Sequence, residues 1–253
     1  MYCHIELIPK TEIPSDVEHL LWSFLCSLMR NGQILREYTI IKNNNYILSV
    51  TLPKEESFDE KYDGVYVRRD RAKIKELFDF RMVSMGENIN SERYCDCQSR
   101  PAIEMGTYHN DIGSPFLCCG CGRPIVLYEI PFAENREDHF ELQCWQDNFS
   151  AMDMLWMRCL CDRYTGKQLV DPESALNKQG KELAEHISKQ LEIPVYYNLF
   201  DDGSKKIKLT KSGHRICRVC PACGKTMRYT KISDDYEIDI CHTCSLSSNH
   251  YSD

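Results

Sequence analysis

Four cysteines near the end of the chain have the spacing of a metal site. They form two Cys-x-x-Cys pairs, Cys220 with Cys223 and Cys241 with Cys244, and 17 residues separate the pairs. Each pair can turn tightly enough for both thiolates to reach one ion, and a short β-hairpin between the pairs would bring them together. Four thiolates complete a zinc tetrahedron, so we predict a structural zinc ribbon without a reactive water. The alternative interpretations are unrelated thiols or a redox dithiol.

A second group of cysteines lies in the middle of the chain. Cys118 and Cys121 form a Cys-x-x-Cys pair followed by Gly122, and Cys95-x-Cys97 lies upstream. A glycine at this point suits the left-handed residue that closes such a turn. We expect these four cysteines either to hold a second structural zinc ion or to remain partly buried thiols. The residues that could replace one of the four ligands are Cys119, Cys144, Cys159, Cys161 and His109.

A basic segment, residues 203–231, precedes the predicted ribbon and continues into it. It contains nine Lys and Arg residues and no acidic residue, and Tyr229 within it could stack on a base. The residues predicted to contact nucleic acid are Lys205, Lys206, Lys208, Lys211, Arg215 and Arg228. The alternative interpretation is a solvated arm that balances acidic charge elsewhere in the chain.

The charge of the chain is unevenly distributed. Residues 1–202 hold 22 Lys and Arg against 33 Asp and Glu, whereas residues 203–253 hold nine against five. Most of the molecule would therefore repel phosphate. An acidic body favours a basic protein partner, which charge steers into contact.

The sequence indicates no catalytic chemistry. It contains no Gly-x-Ser-x-Gly, no glycine-rich phosphate loop and no His-Glu-x-x-His, which are motifs of common enzyme classes. We therefore expect a protein that is not an enzyme.

The cysteine content indicates a reducing compartment. Fifteen cysteines occur among 253 residues, and in the cytosol clustered cysteines bind metal more often than they form disulfides. The first residues lack the pattern of a signal peptide, and no apolar run approaches about 18 residues. We therefore expect a cytoplasmic protein that does not associate with a membrane.

The secondary-structure elements that would position the candidate site residues indicate an α+β fold in three regions. Residues 1–90 read as a small antiparallel sheet with helices, because strand, helix, hairpin and helix patterns follow one another. Residues 91–202 read as a central α/β region with a cysteine knuckle. Residues 203–253 read as the basic arm and the C-terminal zinc ribbon.

Individual elements are predicted from apolar spacing and turn residues. The strands are expected at 2–8, 34–41, 46–52, 125–128 and 195–200, and the helices at 17–29, 70–80, 145–165 and from 171 to before Pro194. A turn at 43–45 would join two strands of a hairpin. On the helix at 145–165, the predicted inner face includes Phe149, Leu155, Cys159 and Leu160.

The order of several motifs resembles a bacterial family of zinc-ribbon-containing proteins. The matching segments are Cys118–Cys121 with the following 124–131, then 151–159, 193–197, Cys220–Cys223 and Cys241 to Asn249. They span about residues 95–250, while residues 1–90 match only in general shape. The chain departs from the family pattern at Cys119 and Gly120.

The resemblance implies that the protein acts by binding another macromolecule. The label of the family suggests nucleic-acid binding, and some members are immunity proteins of rearrangement-hotspot or contact-dependent toxins. It therefore implies a non-catalytic immunity protein that sterically neutralises a cognate toxin domain, with zinc as a structural cofactor. The alternative is a regulatory zinc-ribbon protein that binds nucleic acid. The expected cofactor is one zinc ion in the tail, or two if the central group also binds metal.

Overall fold

The computed structural model describes residues 1–43, 45–86, 93–109, 111–133, 136–201, 218–233 and 236–249. Contacts divide the chain into two compact units. Unit 1 comprises residues 1–94, 112–114 and 125–140, and unit 2 comprises residues 95–111, 115–124 and 141–253. None of the helices in the described ranges combines the length and hydropathy that crossing a lipid bilayer requires.

Unit 1 contains a four-stranded antiparallel sheet with the strand order β2-β3-β1-β4. Its elements are β1 (Tyr2–Pro9), α1 (Val17–Asn31), β2 (Tyr38–Lys42), β3 (Tyr46–Thr51), α2 (Val65–Leu77) and β4 (Phe78–Gly86). Alternate residues of β1, namely Cys3, Ile5 and Leu7, are buried in one core with Leu21 and Phe24 of α1. The period of two in the strand therefore meets the apolar stripe of the helix, as the sequence predicts.

Helix α2 differs from its prediction at 70–80. It begins at Val65 and ends at Leu77, and Phe78 is already the first residue of β4. Strand β4 pairs with the whole length of β1, from Pro9 opposite Phe78 to Tyr2 opposite Gly86. The prediction was wrong at this end because sheet pairing outweighs local helical spacing. Of the predicted turn at 43–45, Asn44 lies outside the described residues.

Unit 2 contains a six-stranded mixed sheet with the strand order β6-β5-β7-β10-β9-β8. Its strands are β5 (Ile103–Met105), β6 (Phe116–Cys118), β7 (Val195–Asn198), β8 (Arg228–Lys231), β9 (Glu237–Cys241) and β10 (Leu246–Asn249). Strand β7 lies parallel to both β5 and β10, and the other pairs are antiparallel. One sheet therefore combines strands of the central region with strands of the C-terminal tail.

Three helices accompany the second sheet: α3 (Phe140–Met157), α4 (Asp162–Val170) and α5 (Ala175–Leu191). Trp145 of α3 and Tyr197 of β7 are both fully buried, and their ring centroids lie 5.8 Å apart. In α5, Asn177 receives a hydrogen bond from the Tyr197 hydroxyl at 2.7 Å, and its amide donates to three carbonyls at the end of α4. This buried polar network holds α4, α5 and β7 in register.

The helix predicted at 145–165 is two helices. The N–H of Cys159 donates to the Trp156 carbonyl and the N–H of Leu160 donates to the Leu155 carbonyl, which is the pattern that closes a helix after its last turn. The chain then turns and starts α4 at Asp162. Phe149 is buried as predicted, but Leu155, near the end of α3, is exposed. Cys159 and Leu160 are also exposed, because the helix on which they were predicted to face inward ends at Met157.

The strand predicted at 125–128 is also absent from the described structure. Ile125 and Val126 are fully buried, the backbone of Val126 is extended, and a short 3₁₀ turn, Leu127–Glu129, follows them. The prediction was wrong because a short apolar run indicates burial but does not distinguish a buried strand from another buried conformation.

Candidate metal centres

The four cysteines of the C-terminal tail meet in space. The Sγ atoms of Cys220, Cys223, Cys241 and Cys244 all lie within 4.8 Å of one another, and those of Cys223 and Cys241 are 3.6 Å apart. In a tetrahedral thiolate site with metal–sulfur bonds of about 2.3 Å, the sulfurs are about 3.8 Å apart. The residues present therefore fit one metal ion, and we call this group the C-terminal cluster.

The backbone forms the C-terminal cluster through two tight turns. The N–H of Gly224 donates to the Cys220 carbonyl at 2.9 Å, and Gly224 has a φ of 72°. The second turn follows strand β9, whose last residue, Cys241, pairs with Leu246 of β10. The hairpin of β8 and β9 lies between the two turns, so the local order agrees with the predicted ribbon.

Backbone N–H groups point at the sulfurs of the C-terminal cluster. The N–H of Lys225 lowers the pKa of the Cys223 thiol to about 7, and hydrogen bonds from the other cysteines of the cluster add to this effect. Burial raises the pKa of the Cys244 thiol to about 12. A bound cation would stabilise all four thiolates together, which the sulfurs alone cannot do at neutral pH.

The central cysteines form a second cluster of the same kind. The Sγ atoms of Cys95, Cys97, Cys118 and Cys121 also lie within 4.8 Å of one another, and Cys95 and Cys118 are fully buried. We call this group the central cluster. It brings together the four cysteines that the sequence predicts as a second site.

The turns of the central cluster also direct N–H groups at sulfur. The N–H of Cys97 donates to Cys95 Sγ, and the N–H of Gly120 donates to Cys118 Sγ, both at 3.4 Å. The N–H of Gly122 donates to the Cys118 carbonyl at 2.8 Å, and Gly122 has a φ of 70°. The glycine thus occupies the left-handed position that its place in the sequence predicts.

Arg100 contacts the central cluster, which the sequence did not predict. Burial raises the pKa of the Cys95 thiol, but the Cys97 N–H and the Arg100 side chain outweigh it and lower that pKa to about 7. Four thiolates around a divalent cation carry a net charge of −2, so a guanidinium in contact with one of them stabilises the centre. A basic residue shortly after a cysteine pair was the signal available in the sequence.

The predicted substitutes for the central ligands lie outside both clusters. Burial raises the pKa of the Cys119 thiol, and the nearby Glu104 raises it further. His109 places Nδ1 at 3.0 Å from the buried Asp153 carboxylate. Cys144 is half-buried on α3, whereas Cys159 and Cys161 are exposed.

Most of the predicted nucleic-acid contacts cannot be placed. Lys205, Lys206, Lys208, Lys211 and Arg215 lie outside the described residues. Arg228 is exposed on β8, which is at one edge of the sheet, beside the partly exposed Tyr229.

The fold and the clusters define an α+β protein with two four-cysteine groups, each able to hold a metal ion. Two proteins of Haemophilus influenzae, both described as uncharacterized, are similar to this chain. One is 29% identical over 232 residues, which cover 87% of this chain and 85% of that protein. The other is 30% identical over 177 residues, which cover 68% and 82%.

The chain belongs to the same family as these Haemophilus influenzae proteins. Its residues 98–200 match the family described as "Domain of unknown function (DUF2310)". The matched range includes Cys118 and Cys121 of the central cluster and ends before the C-terminal cluster.

Two solved structures have weak similarity to part of the chain. Rv0793 from Mycobacterium tuberculosis has 14% sequence identity and a TM-score of 0.29, covering 35% of this chain and 97% of its own. A protein assigned as an antibiotic biosynthesis monooxygenase from Chloroflexus aurantiacus has 14% identity and a TM-score of 0.26, covering 36% and 97%. TM-scores this low support no inference about the fold or the activity of this chain.

Proposed function

We propose that both clusters hold structural zinc ions and that the chain is a non-catalytic binding protein. The observation that carries this proposal is the composition of each site: four cysteine sulfurs within 4.8 Å of one another and no other ligand type. Thiolates favour zinc over harder divalent ions such as magnesium. Four of them complete its tetrahedron, so neither ion would have an open position for water or substrate.

The charge of residues 95–202 favours a basic protein as the partner. Residues 95–202 hold nine Lys and Arg against 18 Asp and Glu, and each zinc–thiolate centre would add a net charge of −2. The exposed acidic residues of this range include Asp147 of α3, Glu182 and Glu185 of α5, and Glu173, which precedes α5. Such a surface attracts a basic protein and speeds its encounter.

The partner that we propose is a cognate toxin domain, and the chain would act as its immunity protein. The resemblance of the cysteine and helix motifs to a zinc-ribbon family that includes immunity proteins supports this choice, together with the acidic balance of residues 95–202. The mechanism would be steric, with the chain covering the active face of the toxin. Tight complexes of this kind depend on a few well-packed anchors, while charge mainly increases the association rate.

Affinity capture of the full chain tests this function. The tagged protein is recovered from nuclease-treated lysate of its own cells, and bound proteins are identified by mass spectrometry. One stoichiometric basic protein that is toxic alone and harmless with the chain would support the proposal. Capture of no such protein, or binding that disappears with nuclease, would contradict it.

Two matched variants locate the surface. Glu182→Lys with Glu185→Lys changes the charge of α5 in unit 2, and Glu12→Lys with Glu76→Lys makes the same change in unit 1. All four residues are exposed. The association rate should fall more for the first variant, and an equal fall in both would show that net charge alone is responsible.

A second candidate is nucleic-acid binding, which the exposed Arg228 and Tyr229 on the edge strand favour. Replacement of Lys205, Lys206 and Lys208 by alanine should then weaken binding and flatten its salt dependence. Tyr229→Ala should weaken binding without changing the slope, because stacking involves no counterion. Unchanged binding in both variants would exclude this surface.

A further inference from the structure

A second Cys-x-Cys pair lies at the corner between α3 and α4. Helix α3 ends at Met157 and helix α4 begins at Asp162, and both Cys159 and Cys161 between them are exposed. Both also have left-handed backbones, with φ of 53° and 58°. L-residues rarely adopt this conformation, and glycine is the usual residue at the helix end that Cys159 occupies.

The same spacing occurs in one half of the central cluster, a candidate metal centre. Cys95-x-Cys97 supplies two of the four sulfurs of the central cluster, and a second pair supplies the rest. Within the described part of the chain, no group of three or more possible ligands includes Cys159 or Cys161. The corner therefore presents two thiols with the spacing of two metal ligands, and the described part of the chain supplies no further ligands beside them.

The surface around the pair is apolar, although it faces solvent. Five large apolar side chains within 11 residues are 37% to 59% exposed, and they are Met154, Leu155, Met157, Leu160 and Tyr164. Apolar side chains grouped in this way mark contact surfaces more often than isolated ones do. An association that covers them would also remove water from the two thiols.

The charge beside the pair suits a thiolate centre. Arg158 and Arg163 flank the two cysteines in sequence and are exposed, and Asp162 is the single acidic residue between them. Two copies of the corner would bring four guanidinium groups near one site. A centre of four thiolates and one divalent cation, with its net charge of −2, would be stabilised by them.

We propose that Cys159 and Cys161 of two copies of the chain bind one zinc ion and so form a two-fold symmetric dimer. A second copy completes the site because it brings an identical pair of thiols and an identical apolar corner. Four thiols lose four protons as the ion binds, and four sulfur–zinc bonds form without any change of oxidation state. This inference concerns self-association and is independent of the proposed partner.

The test measures mass and metal content on the full chain. The protein is purified with reductant and zinc, its mass is measured by light scattering after gel filtration, and zinc is measured by plasma mass spectrometry. Wild type should be a dimer. The variant Cys159→Ser with Cys161→Ser should be a monomer that has lost half a zinc ion per chain.

Controls separate the corner from the other thiols and from misfolding. Cys144→Ser on α3, which is half-buried, should remain a dimer with unchanged zinc. Leu160→Ser should weaken the dimer and retain the bridging ion at high protein concentration. Circular dichroism should show that the double variant keeps the wild-type fold, since both replaced residues are exposed.

Several outcomes would overturn the inference. These are a wild-type monomer, a dimer that persists in the double variant, and a dimer that reductant alone dissolves. Loss of a whole zinc ion per chain from a monomer would also refute it, because the site would then be complete within one chain. Toxin capture is measured separately, so its failure would leave these results unaffected.

Discussion

The hydroxyl of Tyr196 and Nδ1 of His242 lie 2.9 Å apart and share a hydrogen bond. Tyr196 belongs to β7, and His242 lies between Cys241 and Cys244 in the second turn of the C-terminal cluster. The contact joins the sheet to the turn that carries two of the four sulfurs. A histidine with no evident role in the sequence therefore supports the shape of a candidate metal site.

Removing the Tyr196 hydroxyl should loosen the C-terminal cluster. Tyr196→Phe keeps the buried ring and loses one hydrogen bond, which is worth about 0.5–1.5 kcal/mol. We expect faster transfer of zinc to a competing chelator, measured by absorbance of the chelator complex. Tyr66→Phe, an exposed change in unit 1, is the control. Equal transfer rates in all three proteins would show that the contact does not support the cluster.

The two clusters should lose their ions independently. Cys220→Ser should remove one zinc ion per chain and unfold the C-terminal turns, and Cys118→Ser should remove the other, because metal binding supplies folding free energy. Native mass spectrometry counts the ions. Cys26→Ser, which lies outside both clusters, should leave the count unchanged. Wild type with fewer than two ions in the C-terminal and central clusters would contradict this assignment.

Gly180 of α5 has no room for a side chain. A Cβ at this position would lie 2.2 Å from Cε2 of Tyr197 and 2.7 Å from Nε1 of Trp145. Gly180→Ala should therefore reduce the free energy of unfolding by about 1–3 kcal/mol, measured with urea. Gly166→Ala in α4 is a matched control, since its Cβ would meet Trp156 at an ordinary 3.7 Å. Gly166→Ala should be neutral or stabilising. A greater loss of stability in Gly166→Ala than in Gly180→Ala would show that the core around Gly180 can adjust.

A buried ion pair in unit 1 should be sensitive to loss of one partner. Arg71 donates to both oxygens of Asp63 at 2.6 and 2.7 Å, and both side chains are at most 3% exposed. Arg71→Met should destabilise unit 1 by about 3–5 kcal/mol, because it leaves a carboxylate buried without its cation. Lys42→Met breaks the exposed pair with Glu18 and should leave the melting temperature nearly unchanged. A similar loss of stability in both variants would show that the buried ion pair contributes no more than the exposed one.

His139 should make unit 1 less stable in mild acid. Burial lowers the pKa of its imidazole from 6.5 to about 4, and Nε2 has no hydrogen-bond partner among the residues that the structure describes. The unfolded chain gains a proton below pH 6.5 and the folded chain does not. Stability should therefore be complete above pH 6.5 and fall by about 3 kcal/mol as the pH approaches 4.

The variant His139→Gln isolates this contribution from other titrating groups. Its stability should change less between pH 6.5 and 4 than that of wild type, even if its stability at pH 7 is lower. Arg30 accepts a backbone hydrogen bond from His139, and Asp138 is its neighbour in sequence; both remain in the variant. Identical pH slopes would show that His139 does not titrate as a buried group.

Local spacing in the sequence was sufficient to predict much of unit 1 and the turns of both clusters. The strand at β1 and the helix at α1 follow from periods of 2 and 3.6 residues, and Gly122 and Gly224 mark the left-handed ends of two knuckles. These features depend on residues near one another in the chain, so one sequence contains the information. The α+β class follows from the same patterns.

The ends of α2 and α3 could not be predicted in this way. Phe78 continues a helical pattern, yet pairing with β1 makes it a strand residue. Leu160 continues an apolar face, yet α3 ends at Met157, the chain turns at Cys159, and Leu160 is exposed. For α2 the deciding interaction is pairing with a strand that is remote in the sequence, which a local window does not contain.

The sequence by itself determined which cysteines have ligand spacing, where their turns close and which charge predominates in each region. Only the tertiary structure decided that Cys95 and Cys97 meet Cys118 and Cys121, and that Arg100 contacts the Cys95 sulfur. It also decided that Cys159 and Cys161 lie outside both clusters and are exposed. The spacing of residues in the sequence restricts the distances only between atoms that are a few residues apart. Distances between remote residues depend on how strands pair and helices pack, which are properties of the whole folded chain.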